Sequence, residues 1–488
     1  MLSNMEQTLS PLDGRYRGQV SPLLAYFSEQ ALNRARLMVE VEWMILLCNG
    51  VPALAVAGDG DGEPTMFHVK QGLLPGAPRL TAEDIAKLRA IVMSFDDSEA
   101  AALAEIENET KHDVKAIEYY LARKINELVP QIPAELIHFA FTSEDVNNLA
   151  YGLIIGGALA QVWLPATESL IAQLRALAQA TAEMPMLART HGQPASPTTL
   201  GKELAVFALR LQRQLDRIRN DAILGKSNGA TGTFGAHLAG APEVDWLLVS
   251  QAFVTGLGLE WNPVTTQIEP HDWQSELYND MARLGRILHN LATDIWTYIS
   301  LGYFTQISVA GATGSSTMPH KINPIRFENA EANLEISGAL FDSLATTLVT
   351  SRLQRDLTDS TTQRNVGVAF GHSLLAIDNL RKGLAAIHPN AELMAADLAD
   401  NWEVLAEPIQ TAMRAAAVAG VPGMAYPYER LKGLSRGQKL TPADVREFIA
   451  DLGLPAEVTA RLLALAPATY TGLAAELVTR FLPNGDSA

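Results

Sequence analysis

The stretch of the chain with the most reactive groups is residues 311–324, which reads G-A-T-G-S-S-T-M-P-H-K-I-N-P. It places hydroxyl, imidazole, ammonium and amide groups close together, on Ser315, Ser316, His320, Lys321 and Asn323. Its glycines and prolines interrupt the helical patterns on either side, which predicts a loop. Because surface loops are polar in any protein, the segment alone leaves a catalytic loop and an incidental polar cluster equally open.

Further polar islands occur along the chain. They read S-P-L-D-G-R-Y from Ser10, K-H-D-V-K-A from Lys111, T-S-E-D from Thr142, T-H-G-Q-P-A from Thr190, T-T-Q-I-E-P-H-D from Thr265 and R-D-L-T-D-S from Arg355. Thr, Ser and Asp begin helices, and a helix N-terminus also binds anions, so a structural and a functional interpretation of T-S-E-D are compatible. A solitary histidine such as His191 is more often structural than catalytic. The polar stretch 351–365 has a structural interpretation too, as the solvent-exposed face of a helix or loop.

The elements that must position these islands are helices. Apolar residues recur at helical spacing from Phe27 to Leu47, and Thr81 is a plausible N-cap for the helix that follows it. A long helix is predicted over 154–183 with a bend at Pro165, and another over 275–304. The absence of a strand series predicts an all-α fold. Helices of this length usually need a bundle, often shared between subunits, to bury their apolar faces.

Composition limits the classes of function. The 488 residues are 48% hydrophobic, enough for a large core and two to four domains. A net charge of −17 offers no basic surplus for a nucleic acid, so an anionic small substrate must meet local cations. The single cysteine excludes an intramolecular disulfide and a cysteine-based zinc cluster. No signal-like segment and no apolar run of about 18 residues is apparent, which predicts a soluble cytoplasmic protein without a membrane partner.

Taken in order along the chain, the islands point to a family. The loop G-S-S-T-M-P-H-K-I-N-P resembles the signature of the fumarase/aspartase superfamily, and the other islands resemble the adenylosuccinate lyase family within it. The resemblance runs from about residue 10 to N-W-E-V-L-A-E-P at 401–408. It is weakest at 415–425 and at 51–80, where a stretch rich in glycine predicts a surface insertion. It implies β-elimination of fumarate from adenylosuccinate, giving AMP, and from SAICAR, giving AICAR, without a metal or other cofactor.

The same resemblance implies an architecture. The subunit would be mainly helical, with an N-terminal domain at 1–131, a central long-helix bundle at 132–384 and a C-terminal domain at 385–488. The central domains would form the core of a homotetramer, and each active site would be built from three subunits. The partners would therefore be small-molecule nucleotides and other copies of the chain.

The resemblance also implies catalytic roles. One group must take a proton from the carbon beside a carboxylate while another gives a proton to the departing nitrogen. Ser315, rather than Ser316, matches the family's base, and it would need activation because a serine hydroxyl is a poor base. Lys321 and backbone N–H groups would stabilise the developing charge, and Asn323 would hold the carboxylate. His191 matches the general acid, a role that suits an imidazole.

Substrate binding would require cations and hydrogen-bond donors, since the substrate carries a phosphate and two carboxylates. By resemblance the nucleotide would meet Arg15, Tyr16, Arg355, Ser360 and Arg364, and the pocket would be completed by Thr142, Ser143, Gln267, Ser316 and Asn329. Lys111, His112 and Asp113 would lie near the phosphate or support His191, with His112 counted among the catalytic groups. Many relatives carry Asn where this chain has Lys111. The positive charge of Lys111 would strengthen anion binding, unless its side chain points away from the site.

Three alternatives remain at this point. The first is another fumarate-releasing lyase of the superfamily. The second is a carboxymuconate-cycloisomerase-like enzyme, which shares P-H-K loops but is not expected to carry D-G-R-Y or R-D-L-T-D-S. The third is a non-catalytic structural protein on the same scaffold, an alternative opposed by the joint presence of Ser315, Lys321 and His191.

Overall fold

The computed structural model describes residues 8–51, 72–307, 318, 321–435 and 439–482. Most of the predicted loop 311–324, including Ser315, Ser316 and His320, lies outside these residues, and so does most of the predicted insertion at 51–80.

The described chain is predominantly helical, which confirms the predicted all-α class. The helices of its first half are α1 (Arg17–Val20), α2 (Leu24–Phe27), α3 (Glu29–Asn49), α4 (Ala82–Met93), α5 (Asp97–Thr110), α6 (Asp113–Leu128), α7 (Ser143–Ala158), α8 (Leu164–Ala180), α9 (Leu200–Arg219), α10 (Gly235–Gly240) and α11 (Trp246–Gly256). Those of its second half are α12 (Asp272–Ser300), α13 (Ile325–Leu348), α14 (Thr358–Gln363), α15 (Val366–Leu384), α16 (Ala391–Ala399), α17 (Ala406–Val418), α18 (Pro427–Ser435), α19 (Pro442–Ala450), α20 (Ala456–Leu463) and α21 (Ala474–Phe481).

Short strand pairs connect some of the helices. The strands are β1 (Pro185–Met186), β2 (Arg189–Thr190), β3 (Gln193–Pro194), β4 (Thr198–Thr199), β5 (Leu224–Gly225), β6 (Glu260–Trp261), β7 (Phe304–Gln306) and β8 (Ile387–Pro389). The pairs β1–β4, β2–β3 and β7–β8 are antiparallel, whereas β5–β6 is parallel. Each is too short to form a sheet of its own, so the pairs fix loop geometry.

Several helices begin at the capping residues that the sequence predicts. The Thr81 side chain accepts from the backbone N–H of Asp84, and the Asp84 carboxylate accepts from the N–H of Thr81 at 2.9 Å. This reciprocal capping box satisfies two N–H groups that otherwise have no helical partner. The same arrangement recurs at α7, between Thr142 and Asp145.

The predicted long helix continues through Pro165, and its hydrogen-bonding pattern changes just before the proline. Between α7 and α8 the helix widens into a π-helical turn over Leu159–Trp163, and Pro165 follows in the first turn of α8. A proline lacks an N–H and its ring collides with the carbonyl four residues earlier, so widening the preceding turn lets the helix continue without that collision.

The continuous helix Ser143–Ala180 is long and apolar enough to cross a membrane, in contrast to the expectation that no such run exists. Core helices of soluble proteins meet the same test, and 56% of its apolar window is buried within this chain. Ala456–Leu463 and Pro467–Phe481 meet the test only when counted together as one strongly bent span. Length and composition are therefore weak grounds for a membrane segment here.

The chain divides into two compact units. Unit 1 comprises residues 1–167, 214–286 and 333–376, and unit 2 comprises residues 168–213, 287–332 and 377–488. In unit 1 the buried Trp43 of α3 stacks on Phe141, with ring centroids 4.3 Å apart, inside a core shared by α3 to α7 and α11. In unit 2 a separate core forms around Leu405, Met413 and Ile449. The division into domains at 131 and 384 stays a prediction.

Candidate active site

The N-terminus of α7 carries Thr142 and Ser143 and is built as a helix start. The Asp145 carboxylate accepts from the backbone N–H of Thr142 at 2.8 Å, which holds the first turn closed. Thr142 and Ser143 are half-buried, so their side chains remain within reach of a small molecule. Backbone N–H groups at such a terminus favour an anion.

Gln267 lies beside the segment that follows β5. Its side-chain amide donates to the backbone carbonyl of Ala230 at 2.9 Å. Next to it, the Asn228 amide donates to the Thr265 hydroxyl at 2.8 Å. Two loops, at 226–232 and 265–267, are thereby tied together in unit 1.

Asp113 is the centre of an ion-pair network in unit 1. Its carboxylate lies 2.8 Å from the guanidinium of Arg36, which is only 3% exposed, and 3.5 Å from that of Arg364. Arg364 also pairs with Glu29 at 3.0 Å. Burial by itself raises the pKa of Asp113, but the positive charges of Arg36 and Arg364 and the N–H of Val114 outweigh it and hold the pKa below its usual range.

The network continues to Arg355 through Glu144. Arg36 donates to the Asn147 side-chain oxygen at 2.9 Å, and the Asn147 amide donates to Glu144 at 3.1 Å. The buried carboxylate of Glu144 then lies 3.0 Å from Arg355. Two of the predicted nucleotide-binding arginines, Arg355 and Arg364, therefore belong to one network of ion pairs and hydrogen bonds.

Arg355 is also held by the first turn of α14, which follows it. Its guanidinium lies 3.1 Å from Asp359, whose carboxylate lies 3.3 Å from the ring of the buried His271. The backbone N–H of Ser360 donates to Asp359 at 2.7 Å. Arg355 is 18% exposed because it is paired with two carboxylates, so the alternative of a solvated face at 351–365 does not hold at this residue.

Three other predicted residues of unit 1 lie at the surface. His112 caps α6, where its ring nitrogen Nδ1 accepts from the backbone N–H of Lys115 at 3.2 Å, and its side chain is 54% exposed. Lys111 ends α5 in the left-handed conformation, with φ 55°. Arg15 lies against its neighbour Tyr16, with the guanidinium carbon 5.8 Å from the ring centroid.

A cavity of about 230 Å³ connects the N-terminal turn with the arginine network. Asp13 and Leu12 line one wall, and Arg364 and Gly371 line the other. A Cβ at position 371 would lie 2.9 Å from the Leu12 side chain, so the glycine is what allows this close approach. The structure thus brings the segment that contains Arg15 and Tyr16 to Arg364.

In unit 2, His191 occupies the tip of a hairpin formed by β2 and β3. The two turn residues, His191 and Gly192, have φ of 52° and 73°, and positive φ at both positions is what a type I′ turn requires. The imidazole is exposed at the tip. The sequence correctly excluded a helix here, but the hairpin itself was not predicted.

Ion pairs fix the base of this hairpin. Arg189 lies 2.6 Å from Asp397, which also accepts a hydrogen bond from the hydroxyl of Tyr303. Burial and the neighbouring Asp397 raise the pKa of Tyr303 to about 12, so the phenol stays protonated and donates. The hairpin is anchored on one side while its tip stays exposed.

The remaining predicted residues of unit 2 flank the loop whose middle lies outside the described residues. Lys321 is exposed, and its backbone N–H donates to Met318 at 3.1 Å. Asn323 is half-buried. The Asn329 side-chain oxygen accepts from the amide of Asn379 at 2.8 Å, which fixes its orientation at the start of α13.

Several residues of the network were not predicted as site residues. Arg36 and Asp359 contact the predicted residues Asp113 and Arg355 directly, whereas Asn147 and Lys226 contact the carboxylates of Glu144 and Asp145. Arg36 could have been found from the sequence, because it is a charged residue on the apolar face of a predicted helix. A buried charge of this kind needs a partner of opposite charge. Among the residues that the structure describes, no group of three or more His, Cys, Asp or Glu side chains is placed to hold a metal ion.

Comparison with known families gives two matches that together span most of the chain. The family described as "Lyase" matches residues 14–335, and the one described as "Adenylosuccinate lyase C-terminal" matches residues 351–471. Both matches include residues of the network in unit 1.

Curated relatives match at nearly full length. The chain is 46% identical to the adenylosuccinate lyase of Haemophilus influenzae, over 97% of this chain and 98% of the relative. It is 45% identical to that of Escherichia coli K12, over 96% of this chain and 97% of the relative.

Solved structures resemble the fold. A fumarate lyase from Mesorhizobium sp. BNC1 matches with a TM-score of 0.70 and 20% identity, over 95% of this chain and 97% of that one. A 3-carboxy-cis,cis-muconate lactonizing enzyme from Pseudomonas putida matches with a TM-score of 0.68 and 21% identity, over 95% of this chain and 96% of that one. At these identities the likeness concerns the fold alone.

Proposed function

The chain belongs to the adenylosuccinate lyase family, and from that premise we propose that it eliminates fumarate from adenylosuccinate to give AMP, and from SAICAR to give AICAR. The observation that carries the proposal is the arginine network of unit 1. In a chain of net charge −17, Arg364 borders the cavity and Arg355 lies in the same network of ion pairs, which offers guanidinium donors to an anionic substrate.

Unit 1 supplies the binding groups in this proposal. Arg364 borders the cavity, and Arg15 and Tyr16 follow Asp13 at its edge; these three residues would meet the nucleotide. Thr142 and Ser143 would use the α7 N-terminus for a second anionic group. The carboxylates that pair with Arg355 and Arg364 hold both guanidinium groups in place before the substrate binds, so little side-chain entropy would be lost on binding.

Unit 2 supplies the groups that move protons. The base takes the proton from the carbon beside a carboxylate, the electron pair forms the new C=C bond, and the C–N bond to the purine amino nitrogen breaks. We assign the base to Ser315, which lies outside the described residues, and the proton donor to the His191 imidazole. Lys321 would stabilise the negative charge that builds on the carboxylate. The exposed tip position of His191 suits a group that must reach a substrate bound elsewhere.

The working assembly in this proposal is a cytoplasmic homotetramer whose active sites combine residues of different copies. Support comes from the length of α12 and α13 and from large apolar side chains that they leave exposed, among them Trp296, Ile325 and Ile336. Helices of 29 and 24 residues with exposed apolar side chains are typical of subunit interfaces.

The experiment that tests the function is incubation of purified protein with adenylosuccinate. Fumarate and AMP should appear in equal amounts, and SAICAR should likewise give fumarate and AICAR. A preparation that is folded and yields neither product from either substrate would overturn the proposal.

The shared site has its own test. Ser315→Ala and His191→Ala should each be inactive alone, and subunit exchange between them should restore part of the activity, because some sites would then combine two intact contributions. If a label shows that subunits have exchanged and activity does not return, the shared site is wrong.

A further inference from the structure

A buried ion pair lies directly beneath the α7 N-terminus. Asp145 and Lys226 are both fully buried, and their carboxylate and ammonium groups lie 2.9 Å apart. The same carboxylate accepts from three backbone N–H groups, those of Thr142, Asn228 and Gly229, at 2.8 to 3.3 Å. One side chain therefore closes the first turn of α7 and also holds the loop at 226–232.

Lys226 holds the loop from the other side. Its ammonium donates to the Gly229 carbonyl at 3.2 Å, which folds the turn back on itself. Its backbone N–H donates to the Asn148 side-chain oxygen at 2.9 Å, and its backbone carbonyl accepts from the Asn148 amide at 3.0 Å. Asn148 and Asp145 lie one turn apart on α7, so the helix binds the loop at 226–232 through two side chains.

The loop at 226–232 in turn fixes the position of Gln267 through hydrogen bonds. Ala230 accepts the hydrogen bond of the Gln267 amide, and Asn228 is bonded to Thr265. Gly232 has φ 73°, and a Cβ there would lie 2.2 Å from the Thr265 carbonyl oxygen, so the two loops are in direct backbone contact. Thr142, Ser143 and Gln267 thus depend on one clamp, formed by Asp145, Lys226 and Asn148.

A stability role explains this pair poorly. Two charges lose their hydration when they are fully buried, and apolar residues of similar volume are often at least as favourable in such a position. An ion pair differs from an apolar pair in being directional, because each donor and acceptor fixes a position. Here the fixed positions are backbone atoms of a helix start and of a loop beside three predicted substrate-binding residues.

We propose that Lys226 is a positioning residue of the lyase site: it acts through Asp145 and Gly229 to hold Thr142, Ser143 and Gln267 in one geometry for the substrate. This inference rests on the proposed function. The groups that Lys226 positions would bind substrate in the ground state, so its loss should raise KM far more than it lowers kcat.

The test begins with Lys226→Met, which keeps the length of the side chain and removes the charge. We expect KM for adenylosuccinate to rise about tenfold or more while kcat falls less than about threefold, as lost ground-state binding predicts. Ser373→Ala is the matched control, since it removes another buried hydrogen bond of unit 1, from Trp163 at 2.9 Å, away from the clamp. It should lower Tm and leave KM unchanged.

The double variant Asp145→Asn with Lys226→Met separates positioning from stability. Neutralising both partners removes the unpaired buried charge, so Tm should recover relative to Lys226→Met. KM should stay raised, because the Lys226 contact with Gly229 is still missing and an amide offers one acceptor oxygen where the carboxylate offered two. A KM that recovers together with Tm would overturn the proposal, and so would a single variant with wild-type KM. A wild-type protein that turns over neither substrate would instead reject the proposed function and this role with it.

Discussion

The ion-pair network of unit 1 and the His191 hairpin of unit 2 hold their predicted site residues in opposite ways. In unit 1, Asp113, Arg355 and Arg364 are fixed by at least two protein partners each, and several of these partners are buried. In unit 2, His191 lies exposed at a hairpin tip, and Lys321 is exposed beside the loop of Ser315. If the proposed roles are right, the binding groups are preorganised, whereas the proton donor His191 is presented at the tip of a short hairpin.

This contrast has an energetic basis. A charged side chain that must bind an anion gains affinity when its conformation is already fixed, because less entropy is lost on binding. A proton donor must reach the leaving atom only when the substrate is in place, so a projecting loop suits it. The following predictions test this contrast, from the largest expected effect to the smallest.

Removing either proton-transfer group should give the largest effect. We expect His191→Ala and Ser315→Ala each to lower kcat by at least about 100-fold, the usual contribution of a general acid or base. Steady-state kinetics with adenylosuccinate measures this. Because His191 is exposed, its variant should also keep the wild-type Tm. A kcat near that of the wild type in either variant would reject that residue's role.

Breaking the network of unit 1 should instead lower stability. Asp113→Asn leaves the buried guanidinium of Arg36 without its counter-charge, and we expect a loss of about 2 to 3 kcal/mol in the free energy of unfolding, below the full cost for a buried pair because Asp113 is 28% exposed. Urea unfolding measures it.

Glu42→Gln is the matched control for that change. Glu42 also pairs with an arginine, Arg89, at 2.6 Å, but Arg89 is 56% exposed. Its loss should cost less than about 1 kcal/mol. Equal losses in the two variants would show that the network is no more than a set of surface pairs.

Lowering the pH should reduce the folding stability of unit 1 through protonation of His237. Burial lowers the pKa of this histidine to about 4, so the unfolded chain binds a proton at higher pH than the folded chain does. The stability it contributes is therefore complete above pH 6.5 and is lost as pH falls, by about 2 kcal/mol between pH 7 and pH 5. Urea unfolding at both pH values should show a smaller acid loss in His237→Leu. Identical losses in the variant and the wild type would contradict the prediction.

Lys111→Asn should give the smallest effect. Asparagine tolerates the left-handed conformation at the end of α5 better than lysine does, so we expect a gain of about 0.5 kcal/mol in the free energy of unfolding. The KM of the same variant decides between the two interpretations of Lys111. A raised KM indicates that the ammonium binds an anion, and an unchanged KM indicates that it points away.

Local chemistry could be predicted from the sequence, and long-range pairing could not. The helix starts at Thr81 and Thr142 follow from capping residues a few positions away. Arg36 and Asp113 are separated by 77 positions, and nothing in either neighbourhood identifies the other. The resemblance to a family supplied Asp113 and Arg364 as site residues, but only the fold shows that they are in contact.

The same limit applies to backbone geometry. The prolines around His191 exclude a helix, yet the hairpin depends on positive φ at two successive residues, which short-range patterns indicate only weakly. The π-helical turn before Pro165 arises from a clash within the helix that could be anticipated, but its placement over Leu159–Trp163 could not.

The most direct test of the contrast between the units is calorimetric titration of His191→Ala with adenylosuccinate. If unit 1 binds and His191 only donates a proton, the variant should bind with a Kd within about threefold of the wild-type KM, although its turnover is lost. If the affinity falls by the same factor as kcat, His191 is a binding residue, and the division between preorganised binding groups and projecting catalytic groups is wrong.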